Sequence, residues 1–95
     1  MPACVILDIA VNAPGLFEDY KQLAPATIAA YGGRYLARGG KAEVLEGDWT
    51  PNCIVILEFE STEMAKKWLD SPEYRRARSM RHQSATSHTI VVEGV

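Results

Sequence analysis

The stretch NCIVILEFES, residues 52–61, decides the fold. From Cys53 to Leu57 every residue is apolar, on both faces of any strand they could form, and the acids Glu58 and Glu60 follow. A strand reads this way when both of its faces are covered. Period-two alternation puts Val55, Leu57 and Phe59 on one face and Ile54, Ile56 and Glu58 on the other. Helices of the same chain can cover one face. The other needs a different cover.

Toward the N-terminus, ACVILDIAV (3–11) alternates in the same way. Val5, Leu7, Ile9 and Val11 form one face, and Cys4, Ile6, Asp8 and Ala10 the other. Asn12 is a plausible cap and Pro14 a tolerated first-turn residue for the helix that follows. Leu16, Phe17, Tyr20, Leu23, Ala24, Ile28 and Tyr31 recur at helical spacing, and Gly32-Gly33 is a stop. Pro25 is expected to kink or split this helix, because it lacks a backbone donor and crowds the preceding turn. GRYLARGGKAEVLEG (33–47) reads as a second strand, with a bulge or tight bend at Gly39-Gly40.

Toward the C-terminus, Ser61 or Thr62 caps a helix with Met64, Ala65, Trp68 and Leu69 on its apolar side. Ser71-Pro72 breaks it and starts a second helical segment ending near Gln83. SHTIVVE (87–93) is the last strand.

The order β-α-β-β-α-β is the ferredoxin-like pattern, an α+β fold occupying residues 1–95 as one domain. It predicts a four-stranded antiparallel-type sheet with two helices, both broken, on one face. The expected layout sets strands one and three side by side and parallel at the centre. The helices would then cover Val5, Leu7, Ile9, Val55, Leu57 and Phe59, and nothing in the chain would cover Cys4, Ile6, Ala10, Ile54, Ile56 and Val91. Such a patch on a monomer would be a sticking surface. Burial against a second copy, sheet on sheet, predicts a homodimer.

Composition agrees with a small globular chain: 47% hydrophobic, 23% charged, net charge −2, pI near 5.6. A chain of this size buries only about 60–65% of its unfolded surface, so help from a partner subunit matters. The acidic balance argues against nucleic acid or an anionic membrane as a partner. The N-terminal segment has no basic region, and Asp8 interrupts its apolar run. Neither a signal peptide nor a membrane span is expected, and the cytoplasm is the expected compartment. Cys4 and Cys53 read as free buried thiols; with no CxxC, and with His82 and His88 lacking Cys–His spacing, no metal site is expected.

YGGRYLARGG, VLEGDW, ILEFES and WLDSPEYRRAR, in this order and spacing, resemble the bacterial family called domain of unknown function 1330. The resemblance spans essentially the whole chain. It implies the dimeric α/β-barrel superfamily, two ferredoxin-like subunits joined through their sheets. That superfamily includes cofactor-poor monooxygenases of quinone and polyketide type, isomerases, and dye- and haem-processing enzymes. No reaction is assigned to the family itself. Its members often have histidine before the Gly-Gly; here the residue is Tyr31, so acid–base work by a histidine there is not expected.

Two groups of residues are candidates for chemistry. If strands one and three run parallel from level starts, Asp8 and Glu58 lie side by side on the open face, with Arg34 and Arg38 of strand two nearby. These four would form either an ion-pair network that fixes the dimer register or an acid–base or anion-binding site. Tyr20, Tyr31, Tyr35, Trp68 and Tyr74 read either as core or as the lining of a ligand pocket between helices and sheet. Breaks at Pro25 and Ser71-Pro72 would offer such a ligand unpaired backbone groups. Arg75, Arg76, Arg78 and Arg81 read as a solvated basic face, His82 as a surface residue, and His88, which alternates with Ile90 and Val92, as a hydrogen-bonded core histidine. No nucleophile elbow or phosphate loop is present. The function expected is a homodimer that binds or transforms a small organic molecule without a tightly bound cofactor; a non-catalytic sensing or structural dimerisation module is the alternative.

Overall fold

A computed structural model describes all residues, Met1–Val95. The elements are β1 (Ala3–Val11), α1 (Pro14–Ala30), β2 (Arg34–Arg38), β3 (Cys53–Phe59), α2 (Thr62–Leu69), α3 (Pro72–Ser84) and β4 (Ala85–Glu93). The sheet order is β2-β3-β1-β4, and every neighbouring pair is antiparallel. The expected ferredoxin-like order is present; the parallel pairing of strands one and three is not. β1 and β3 run in opposite directions, with Cys4 opposite Glu58 and Asp8 opposite Ile54.

The division of faces follows the alternation. Val5, Leu7, Ile9, Leu57 and Phe59 are buried under the helices with Phe17, Ala24, Ile28, Trp68 and Tyr74. Ile6 and Ile56 oppose each other on the open face, flanked in β4 by Ile90 and Val92, which are 59% and 47% exposed. Val91 belongs to the other side: it stands opposite Val5, and Ile90 and Val92 take the open-face positions that were expected of it. His88 is likewise on the open face and exposed, not a core residue, because it stands opposite Asp8.

Local chemistry explains the helix ends. Ser61 caps α2 by accepting from the Met64 N–H, and Ser71 caps α3 by accepting from the Tyr74 N–H, with Pro72 as its first residue. The break between α2 and α3 leaves little for a ligand to use. Ser71 Oγ also donates to the Trp68 carbonyl at 2.7 Å, so the junction satisfies itself. At α1 the expected Asn12 cap is absent. The Ser84 carbonyl instead accepts from both the Asn12 and Ala13 amides, at 2.7 and 2.9 Å.

Two further expectations change. The second strand is short: β2 ends at Arg38, and residues 39–52 form no regular element. Its irregularity lies between Tyr35 and Ala37, where Leu36 is the extra residue, and not at Gly39-Gly40. And Pro25 neither splits nor ends α1, which runs unbroken through it. Gly33, just beyond the helix, is required by packing: a Cβ there would lie 2.5 Å from Phe59 and 2.9 Å from Ile28.

Candidate functional site: a cavity between α1 and the sheet

The bulge at Leu36 builds the site. Arg34 stands opposite Glu58 and Tyr35 opposite Leu57; after the extra residue, Arg38 stands opposite Val55. Without the bulge, Tyr35 and Arg38, three residues apart, would point to opposite faces. With it, both face α1. The Arg38 guanidinium carbon lies 4.9 Å from the centre of the Tyr35 ring, a cation–π distance.

Arg38 also explains why α1 survives Pro25. In a regular helix the residue-25 amide would serve the Lys21 carbonyl, and proline has no such hydrogen. Arg38 Nη2 donates to that carbonyl at 2.9 Å. One side chain thus replaces the missing helix bond and ties α1 to the edge strand.

Beside this arginine lies a cavity of about 120 Å³, walled by Ile9, Phe17, Tyr20, Ala24, Tyr35, Cys53 and Val55, with Lys21 and Arg38 at its polar end. For scale, a cavity of about 150 Å³ with apolar walls accepts benzene. The phenols around it stay protonated. Burial, reinforced by Tyr74, pushes the Tyr20 hydroxyl far above its ordinary range, and the Arg81 and Arg38 cations only partly oppose this. Burial also raises Tyr35 and Tyr74. The Tyr20 and Tyr74 hydroxyls are 2.8 Å apart. The walls therefore offer apolar surface, hydroxyl donors and cations, with no carboxylate or imidazole among them.

The candidate residues separate accordingly. Tyr20 and Tyr35 line the cavity. Trp68 and Tyr74 are closed into the core, their rings 4.2 Å apart, with Trp68 Nε1 donating to Thr27 Oγ1 at 3.1 Å. Tyr31 donates to Glu73 Oε1 at 2.8 Å on the surface, a bond that raises the phenol and lowers the carboxyl.

The four charged candidates do not form one cluster, because antiparallel pairing moves Asp8 and Glu58 to opposite ends of the open face, roughly four residues or about 13 Å apart. Asp8 accepts from Trp49 Nε1 at 3.0 Å and from the Asn52 amide at 2.9 Å. Glu58 pairs with Arg34 at 2.8 Å. Arg38 is on the other face. The Arg34 and Glu58 side chains are 70% and 31% exposed, so solvent screens the pair. Glu58→Gln is expected to cost the subunit no more than about 1 kcal/mol, measured by urea denaturation. A loss of about 3 kcal/mol or more would mean that the pair is buried in the assembled protein.

Antiparallel pairing also separates the thiols. Cys53 stands opposite Ile9 on the helix side, and Cys4 opposite Glu58 on the open face; both are free and half-buried. Cys53, Phe17 and Ile9 line the cavity without having been singled out as site residues. No helix is long and apolar enough to cross a membrane.

The family described as domain of unknown function 1330 matches residues 2–95. No curated protein matches the chain. Among solved structures, RPA0582, a protein of unknown function from Rhodopseudomonas palustris, superposes with a TM-score of 0.78 at 18% identity, over 99% of this chain and 82% of that one. SnoaB from Streptomyces nogalater, a cofactor-independent oxygenase, gives 0.68 at 16% identity over 99% and 93%. A putative antibiotic biosynthesis monooxygenase from Nitrosomonas europaea gives 0.60 at 11% over 99% and 90%. At these identities the likeness is one of fold.

Proposed function

The chain belongs to the domain of unknown function 1330 family, and from that premise and its own geometry we propose that it is a cytoplasmic homodimer that captures a small organic molecule between α1 and the sheet. The observation that carries the reading is the cavity at Arg38, apolar along its walls and cationic at one end. Its volume suits one ring or a short chain, and Arg38 suits an attached carboxylate or phenolate oxygen. Two hydroxyl-bearing rings, Tyr20 and Tyr35, supply flat contact surface. The open sheet face supports the dimer, and the two free thiols are in keeping with a reducing compartment.

Binding without turnover fits the walls best, because they hold no carboxylate or imidazole to act as a general base. A second reading, turnover without a bound cofactor, is favoured by SnoaB, which shares the fold and is a cofactor-independent oxygenase. The test is a calorimetric titration of the purified protein with benzoate, phenol and toluene. Benzoate is expected to bind most tightly, and Arg38→Gln to weaken it at least tenfold while leaving toluene within about twofold. Binding of none of the three would refute the capture reading. Oxygen uptake with a bound phenol would select the turnover reading over the silent one.

A further inference from the structure

A second cleft lies on the helix side of the sheet at its β4 edge, and its chemistry differs from the first. Arg81 sits on the buried face of α3 with Tyr74, Ala77 and Ser84. It was expected in a solvated basic face, yet it is 3% exposed. Its Nη1 donates to Ser87 Oγ and Thr89 Oγ1, both at 3.2 Å, and its Nη2 lies 3.5 Å from His82 Nε2. Its Nε has no partner. The ion pairs of the chain are Glu18–Lys21, Arg34–Glu58, Lys41–Glu43 and Asp70–Arg78, so no carboxylate answers Arg81.

A buried guanidinium with no carboxylate partner costs stability, because its charge has left water without meeting an opposite one. The surroundings are built to add a charge rather than to hide one. Arg78 reaches the same cleft, and its own buried Nε is also unpartnered, although its Nη1 is held by the Leu69 carbonyl and Asp70. The cleft is about 430 Å³ and is lined by Arg78, Arg81, His82, Ser87 and Thr89, with Leu69 as an apolar wall. Partial burial first, then the Arg81 and Arg78 cations, lower the His82 pKa.

We propose that this cleft is a binding site for a small oxyanion, the carboxylate or phosphate group of a small molecule, with Arg81 as its anchor. Arg78 completes the site at the rim, and the Ser87 and Thr89 hydroxyls hold the anchor in place. The site is independent of the cavity at Arg38 and lies on the face of the sheet opposite the proposed dimer contact.

The chain has two histidines, His82 and His88, and His88 is on the open face. Proton NMR of their ring protons therefore reads the site and an internal control in one titration. Sodium phosphate, and separately sodium acetate, are added at an ionic strength held constant with chloride. Either anion in the cleft is expected to raise the His82 midpoint by roughly half a pH unit or more and to leave His88 in place. A response to phosphate alone supports a phosphate-bearing ligand, and a response to acetate alone a carboxylate. Arg81→Met is expected to abolish the response without lowering the melting temperature in chloride, since it replaces an unanswered buried charge by an apolar chain of similar length. If Arg81→Met does not fold, Arg78→Gln supplies the same arm, with the response weakened severalfold. A His82 midpoint indifferent to both anions overturns the proposal. So does a response that is undiminished in the arginine variant tested.

Discussion

Ile56→Lys is expected to leave the protein monomeric. Ile56 occupies the middle of the open face, opposite Ile6 in β1 and Ala37 in β2. The strand beyond β1 adds Ile90 and Val92, both largely exposed in the single subunit. Packed against a second sheet, these residues would form a dry centre, and a lysine at 56 would bring an ammonium into it with no acid in reach. The nearest carboxylates of the same face, Asp8 and Glu58, are already engaged by Trp49 and Arg34. An unpaired charge in such a place costs about 3–5 kcal/mol, roughly a hundred- to several-thousand-fold in the dimer dissociation constant. The fold itself is expected to survive, because the substitution lies on the side away from the helices. Sedimentation equilibrium checks both halves. A parent chain that sediments as a monomer at micromolar concentration would refute the dimer, and a mutant that remains dimeric would move the contact to another surface.

The largest loss of subunit stability is expected from Trp68→Ala, about 3–5 kcal/mol. Trp68 is fully buried, with Phe59 on one side and Tyr74 on the other at centroid distances of 5.4 and 4.2 Å. Alanine would leave a cavity at the meeting point of sheet, α2 and α3 and would remove the indole donor from Thr27. For a domain of this size the melting temperature is expected to fall by about 15–30 °C, measured by circular dichroism. The contrasting change is Trp49→Ala. Trp49 is 61% exposed in the subunit, and its loss is expected to cost no more than about 1 kcal/mol there. Equal effects from the two substitutions would mean that the core does not close on Trp68.

Which residues were legible in the sequence depended on what alternation can and cannot carry. Parity assigns a residue to a face and is blind to strand direction, since reversing a strand leaves each side chain on its side. Val5, Leu7, Ile9, Leu57 and Phe59 were therefore placed under the helices correctly. The pairing of Asp8 with Glu58 needed direction as well, and it failed when β1 and β3 proved antiparallel. Arg38 was misplaced for a second reason: counting by twos from Arg34 assumes an unbroken ladder, and nothing in RYLAR announces that Leu36 is an extra residue. The cavity, which exists because of that bulge, could not be foreseen beyond its tyrosines. Arg81 is different. Its spacing from Tyr74, Ala77 and Ser84 marks the buried helix face, but its charge weighed more heavily than its position.

The hydrogen bond from Arg38 to the Lys21 carbonyl makes the histories of positions 25 and 38 interdependent. While proline occupies position 25, any change at 38 that removes the guanidinium strips a helix carbonyl of its only replacement donor. Once position 25 carries a residue with an amide hydrogen, the helix no longer needs the arginine, and position 38 is free to vary with whatever the cavity holds. The route to a different side chain at 38 therefore runs more easily through 25 first, and the two steps taken in opposite orders cross intermediates of unequal fitness. A lineage that keeps Pro25 is held to an arginine at the mouth of its cavity by the needs of a helix, whatever molecule that cavity takes in.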